Sequence, residues 1–261
     1  MNQKPRKRFG QNFLTDERVI GQIIDTINPQ PGEVILEIGP GRAALTRLLL
    51  ESGAEIHALE IDRDLAGALQ SGLGRHERLI IHQCDALQAV PGTIAGGRLF
   101  RLVGNLPYNI STPLLFHVLD QELLPLDMHF MLQSEVVQRM AAGPGGRDYG
   151  RLSVMCQNRC HVTPLFEISP GSFEPRPKVQ SRFVRMVPRD EPMSGVHLEQ
   201  SLDAVVRAAF SMRRKTLRNS LRKLLPEQAI ARAGIDAGLR AEQLDLRQFI
   251  ALARQIDEEL V

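Results

Sequence analysis

The chain has 261 residues, enough to bury a sizeable core as one large domain plus a small one. Its 43% hydrophobic content excludes a disordered chain, and no apolar run approaches the roughly 20 residues of a membrane span. Net charge is only +2 but unevenly distributed, and the sparse, odd set of cysteines (Cys84, Cys156, Cys160) predicts a reducing compartment.

The chain opens on a basic arm, Lys4, Arg6, Lys7 and Arg8, followed by Phe9-Gly-Gln-Asn-Phe-Leu14. That is not the apolar region of a signal peptide, so a cytoplasmic protein is expected. Val34-Ile-Leu-Glu-Ile38 reads as a buried strand, broken by Gly39-Pro-Gly41, and helical periodicity over 43–52 ends at Gly53. Residues 54–60 read as a second strand, 64–71 as a helix, 79–84 as a third strand and 98–104 as a fourth. A helix over 112–120, a fifth strand over 128–132 and a helix over 134–142 follow. Such alternation predicts an α/β fold, a parallel sheet covered on both faces. Residues 142–150 form a loop by composition, 165–168 and 181–187 look like a late pair of strands, and two prolines hold Phe173-Glu-Pro-Arg-Pro-Lys178 extended between them.

Residues 188–195 read as a linker, after which the pattern is helical only: 198–212, 215–225, 226–233 and 246–259. Pro226 suits a first helical position, and Asp245 with Gln248 resembles a capping box. The expected division is therefore 1–188 as an α/β domain with a basic arm and 189–261 as a small all-helical domain. Arg207, Arg213, Arg214, Lys215, Arg218, Arg222 and Lys223 fall in 204–225 with no acid among them. That cluster suits a phosphate backbone, the plain alternative being a solvated helix face. Cys156-x-x-x-Cys160-His161 has no second pair of ligands, so buried small residues are expected there and no metal.

Three strand ends carry chemistry. Glycines in Glu37-Ile-Gly-Pro-Gly41 permit close approach of a ligand to the backbone. Glu60 closes the second strand, 21 residues after Gly39, where an acid can accept from both hydroxyls of a ribose; Asp85, after the third, can accept from an adenine amino group. Together they predict an adenosine pocket, although either acid alone reads equally as a cap or a surface residue. A nicotinamide dinucleotide is one occupant, since Ala44 satisfies the sixth position of its glycine fingerprint. However, the fourth strand runs into Asn105-Leu106-Pro107-Tyr108, which has no task in hydride transfer. It suits the methylation of an amine. The Asn105 amide oxygen accepts from an amino group, Pro107 biases Leu106 to an extended conformation that turns its carbonyl outward, and Tyr108 offers a face for a base. The two motifs together favour S-adenosylmethionine.

Phe9-Gly-Gln-Asn-Phe-Leu14, Glu37-Ile-Gly-Pro-Gly41, Gly104-Asn-Leu-Pro-Tyr108, Tyr149-Gly-Arg-Leu-Ser153, Phe173-x-Pro-x-Pro-Lys-Val-x-Ser181 and Arg213-Arg-Lys-Thr-Leu-Arg-Asn-Ser-Leu221 occur in that order. In this the chain resembles the bacterial ribosomal RNA adenine dimethyltransferases, the small-subunit branch above all. The resemblance implies a Rossmann-like class I methyltransferase domain with a mostly parallel seven-stranded sheet and a helical RNA-binding domain. It implies transfer from S-adenosylmethionine to N6 of two adjacent adenosines in the 3′-terminal hairpin of 16S rRNA, within a small-subunit assembly intermediate and by a monomer. Cofactor contacts fall on Asn12, Leu14, Gly39, Glu60, Asp85 and Asn105, with Gln11 and Gly41 beside them. Asn105, Leu106 and Tyr108 would hold the flipped adenine, and Phe173 would close its other face, unless it is a core aromatic. Ala43 stands where the family often has glycine, with little loss expected. A 23S rRNA or DNA adenine methyltransferase, or an assembly factor acting by binding, are the neighbouring readings.

Overall fold

A computed structural model describes residues 10–212 and 214–259. The basic arm, Phe9 and Arg213 lie outside the described residues. The chain divides into two compact units: the described residues up to Val137 with Thr163–Pro188, and Gln138–Val162 with those from Arg189 onward.

The first unit begins with β1 (Phe13–Leu14) and α1 (Glu17–Ile27). Strand–helix alternation follows: β2 (Val34–Ile38), α2 (Thr46–Glu51), β3 (Glu55–Glu60), α3 (Arg63–Leu73), β4 (Leu79–Gln83), α4 (Pro91–Ile94), β5 (Arg101–Asn105), α5 (Ser111–Leu119) and β6 (Met128–Gln133). After α6 (Ser134–Ala141) and α7 (Arg151–Arg159) come β7 (Cys160–Ile168), β8 (Phe173–Glu174) and β9 (Ser181–Pro188). The large sheet has the order β4-β3-β2-β5-β6-β9-β7. Its first five strands are mutually parallel and β9 runs antiparallel to β6. All five residues of β2 are buried, the signature of a central parallel strand covered on both faces, whereas the edge strand β7 alternates between exposed and half-buried positions. A separate antiparallel pair joins β1 to β8.

α1 was not among the expected helices. Asp16 caps it by accepting from the Arg18 and Val19 N–H groups, and Ile20, Ile23 and Ile27 form its buried stripe.

β6 carries an unusual core residue. His129 is fully buried, neither ring nitrogen has a hydrogen-bond partner, and burial, against the pull of Asp127, pushes its pKa down to about 4. The unfolded chain therefore takes up a proton below about pH 6.5 that the folded chain refuses down to about 4. Stability should fall through that window as pH is lowered, by on the order of 3 kcal/mol. Urea unfolding at pH 7 and pH 4.5 tests this: His129→Leu should flatten the decline, and an unchanged slope would acquit His129.

The second unit adds α8 (Glu199–Ser211), α9 (Leu217–Ser220), α10 (Glu227–Arg232) and α11 (Leu246–Glu259). Asp245 and Gln248 exchange hydrogen bonds of 2.9 and 2.8 Å at the start of α11, a true capping box. Two expectations are corrected. The helix expected over 215–225 is only Leu217–Ser220, since Leu217 and Arg218 donate their N–H groups to Leu239 and Ala237 carbonyls, fixing a late start. Residues 138–162 also belong to this unit and not to the α/β one. The reason is apolar: Tyr149 and Val154 bury themselves in the cluster built on Leu202, Val205, Leu221, Phe249 and Leu252.

Candidate active site

At the carboxyl end of β2 the chain turns through Gly39 and Gly41, with φ of 68° and 56°. Both lie in the left-handed region that favours glycine, and a Cβ on Gly41 would come within 3.0 Å of the Phe13 ring. The turn is tied to the neighbouring strand: the Gly39 N–H donates to the Leu59 carbonyl (2.9 Å) and the Gly41 N–H to Glu60 Oε2 (3.2 Å). Ala43 has φ of 66°. The expectation that losing a glycine here costs little needs amending, because an L-residue in this region is strained by about 1–2 kcal/mol; its fully buried methyl offsets part of that.

Acidic groups line the pocket beside this turn. Glu60 is 4% exposed and its Oε1 accepts from the Asp62 N–H at 2.9 Å, while burial raises its pKa. Asp85 is half-buried and caps the Leu87 N–H at 2.9 Å. Glu37, a member of the glycine motif that sequence reasoning left without a role, is 2% exposed. Burial, reinforced by Glu60, pushes its pKa up to about 7; the neighbouring Thr46 hydroxyl pulls the other way, yet Glu37 Oε2 and Thr46 Oγ1 are both left without a well-formed hydrogen bond.

One cavity of about 240 Å³ brings these together: Asn12, Leu14, Gly39, Gly41, Glu60, Asp85 and Asn105 line it, as do Leu106 and Tyr108. The N-terminal strap, Gly10 to Leu14, contributes to its lining. β1 pairs with β8, placing Leu14 opposite Phe173 and Phe13 opposite Glu174. The Arg42 guanidinium sits 4.5 Å over the Phe13 ring and bonds Glu174 at 2.8 Å, and Gln11 Nε2 donates to Asp62 at 3.2 Å. Finally, Asn105 Nδ2 donates to the Asn12 carbonyl at 2.8 Å. A carbonyl can only accept, so this bond fixes the orientation of the Asn105 amide and leaves Oδ1 as its free acceptor.

Leu106 is 1% exposed, its N–H donating to the Met131 carbonyl at 3.2 Å, which pins the end of β5 to β6. Tyr108 is half-buried, and its hydroxyl lies 2.6 Å from Ser181 Oγ. Phe173 requires a correction: it is 4% exposed, packs in the apolar cluster of this unit with Leu14 and Phe183, and does not line the cavity. Pairing with β1 turns it inward, so it supports the strap and offers no face to a base. Asp62, Arg42 and Ser181 were missed, since each acts through a partner far away in sequence. Asp62 also caps α3, accepting from the Asp64 N–H through Oδ1 at 3.0 Å.

In the second unit the positive cluster divides. Arg207 pairs with Asp203 at 2.7 Å and Arg218 with Glu227 at 2.6 Å, whereas Arg214, Lys215, Arg222 and Lys223 are exposed and no acid pairs with them among the described residues. Cys156 and Cys160 are buried free thiols, and no group of three or more metal-capable side chains occurs among the described residues. No helix among them is long and apolar enough to cross a membrane.

A sequence model of the family described as "Ribosomal RNA adenine dimethylase" matches residues 2–258. The chain is 52% identical over 257 residues to "Ribosomal RNA small subunit methyltransferase A" of Methylococcus capsulatus, covering 98% of this chain and 100% of that one. It is 50% identical to the protein of the same name from Pseudomonas aeruginosa, covering 98% and 96%. Among solved structures, a dimethyladenosine transferase from Plasmodium falciparum matches with a TM-score of 0.79 at 23% identity over 95% of this chain and 98% of that one. The 23S rRNA methyltransferase ErmE matches with a TM-score of 0.73 at 25% identity over 94% and 100%.

Proposed function

The chain belongs to the ribosomal RNA adenine dimethylase family, and from that premise we propose that it transfers methyl groups from S-adenosylmethionine to N6 of two adjacent adenosines in the 3′-terminal hairpin of 16S rRNA. The products are N6-dimethyladenosines. The pocket residues fit the cofactor: glycines at 39 and 41 leave room for it, and Glu60 and Asp85 place carboxyl acceptors on its lining. When bound, the cofactor supplies a methyl carbon on a sulfonium.

In this reading Gly39, Gly41, Glu60 and Asp85 hold the adenosine portion, with Asn12 and Leu14 of the strap over it. The target adenine leaves its stack and enters beside Asn105. Its N6 lone pair is delocalised into the ring, which makes it a poor nucleophile. Asn105 Oδ1 and the Leu106 carbonyl accept its two N–H groups and favour a pyramidal nitrogen, while Tyr108 stacks on the base, a contact worth about 1–3 kcal/mol. Attack by N6 forms the N–C bond as the C–S bond breaks with its electron pair left on sulfur; N6 then sheds a proton to water. No strong base is needed, because that proton becomes acidic once the methyl has arrived. Alignment of sulfur, methyl and nitrogen supplies much of the acceleration.

The observation that carries this reading is the 2.8 Å bond from Asn105 Nδ2 to the Asn12 carbonyl, which commits the donor end of the amide and keeps the acceptor end for an amine. The proposed setting is the cytoplasm, on 16S rRNA within a small-subunit assembly intermediate, with a single chain as the acting unit. The helical unit would grip RNA phosphates through Arg214, Lys215, Arg222 and Lys223. Labelled S-adenosylmethionine incubated with undermethylated small and large ribosomal subunits, followed by mapping of modified nucleotides, tests the whole. Two adjacent N6-dimethyladenosines in the small-subunit hairpin are expected, and label confined to the large subunit would overturn the assignment.

A further inference from the structure

Ser181 opens β9 opposite Gln133 of β6 and is fully buried. Its hydroxyl meets that of Tyr108 at 2.6 Å across a separation of 73 residues. The Tyr108 backbone is gripped as well, its carbonyl accepting from Ser111 Oγ at 3.1 Å. Tyrosine turns about two side-chain torsions, and its hydroxyl oxygen lies on the second axis, Cβ–Cγ, but swings widest about the first, Cα–Cβ. A bond at that tip therefore fixes where the ring sits, through the first torsion, while packing on its two faces sets the tilt of its plane. Burial holds the Tyr108 phenol above its ordinary pKa, so the pair remains two neutral hydroxyls.

We infer that Ser181 is a positioning residue, locking the Tyr108 ring as the platform for the target adenine, and that this lock matters most in the second of the two methyl transfers. The inference rests on the reading of the site given above. In the first transfer N6 bears two N–H groups, one for Asn105 Oδ1 and one for the Leu106 carbonyl. Each transfer forms one N–C bond, breaks one C–S bond with the pair left on sulfur, and releases one proton from N6 to water. N6-methyladenine therefore returns to the site with a single N–H, and one acceptor has lost its donor. The base must be rotated so that its lone pair again faces the methyl, with one hydrogen bond fewer to define the pose. Stacking on Tyr108 then carries a larger share of the alignment, and a loosely placed ring costs more than in the first transfer.

Ser181→Ala and Tyr108→Phe each remove one hydroxyl and leave the ring in place. With undermethylated small subunits as substrate, nuclease digestion and mass spectrometry of the products give the two transfers separately. Each variant should slow the second transfer about threefold to tenfold, the worth of one hydrogen bond, with less effect on the first, so that N6-monomethyladenosine accumulates. The double variant should be no worse than either single one, because both remove the same interaction. A small-subunit RNA hairpin with 2-aminopurine at the target gives a readout independent of turnover: its fluorescence in complex with the protein should be less quenched in both variants. Wild-type product ratios and quenching in Tyr108→Phe, or additive defects in the double variant, would overturn the inference, and Tyr108→Phe decides it alone if Ser181→Ala does not fold. If the wild-type chain itself leaves the hairpin unmethylated, the reading of the site has failed; if it dimethylates normally and the variants do so too, only the role of Ser181 has.

Discussion

Gly104→Ala is expected to lower the thermal unfolding midpoint by about 6–12 °C, the equivalent of about 3 kcal/mol, and to weaken S-adenosylmethionine binding beyond easy detection. Gly104 is paired with Ile38 across β2 and β5, and a Cβ built on it would stand 2.6 Å from the Ile38 carbonyl oxygen. The obstacle is backbone, so no rotamer change relieves it; the two central strands must separate. Two further atoms crowd the same Cβ, Leu106 Cδ2 at 3.1 Å and Ile38 Cβ at 3.3 Å. Ile38 leads directly into Gly39, and Gly104 into Asn105, so one added methyl displaces the cofactor turn and the amine-binding residue together. Calorimetric unfolding and cofactor titration check this. A variant with unchanged midpoint and affinity would mean that the strands part freely and that Gly104 has no steric duty.

Asn105→Asp should weaken cofactor binding about tenfold to a hundredfold while leaving the fold intact. The substitution is nearly isosteric, and it keeps an oxygen to receive the N6 hydrogens. What it removes is the donor to the Asn12 carbonyl, replacing a 2.8 Å hydrogen bond with two oxygens facing each other. Loss of a part-buried bond with an unpaired acceptor left behind costs about 1–3 kcal/mol, which is the range given. The strap over the cavity should loosen at Asn12 and Leu14, and proteolysis near the N-terminus should accelerate. Isothermal titration with the cofactor measures the first effect. Wild-type affinity in this variant would show that the strap is held by β1–β8 pairing alone and that Asn105 serves only the substrate.

Much of the α/β unit was legible because buried parallel strands are short runs dominated by apolar residues, and β2 and β6 read that way despite Glu37 and His129 inside them. One boundary drifted: β5 starts at Arg101, not 98, and Arg101 is buried and bonded to Asp127 at 2.8 Å through Nε. α1 escaped because its start is marked only by Asp16 and its apolar stripe was overshadowed by the neighbouring motif. The loop around 142–150 and the helix after it were assigned to the wrong unit, since Tyr149 and Val154 look equally apolar whichever core receives them. Phe173 illustrates the same limit. Two nearby prolines predicted an extended segment, which is what forms, but an extended segment presents alternate residues to opposite sides, and nothing local says which side meets the core.

By itself the sequence determined the alternating order of strands and helices, and therefore that Gly39, Glu60, Asp85 and Asn105 would gather at the carboxyl ends of parallel strands. It also determined their chemistry: glycines that admit a ligand, acids that accept from it, an amide and an aromatic ring suited to a base. Only the tertiary structure decided how that set is held. The pairing of Phe13–Leu14 with Phe173–Glu174, the bond from Asn105 to Asn12 and the contact of Tyr108 with Ser181 join residues 73 or more positions apart. Periodicity reports which face of an element is buried. It carries no information about which distant partner does the burying, because that choice is made by packing in three dimensions.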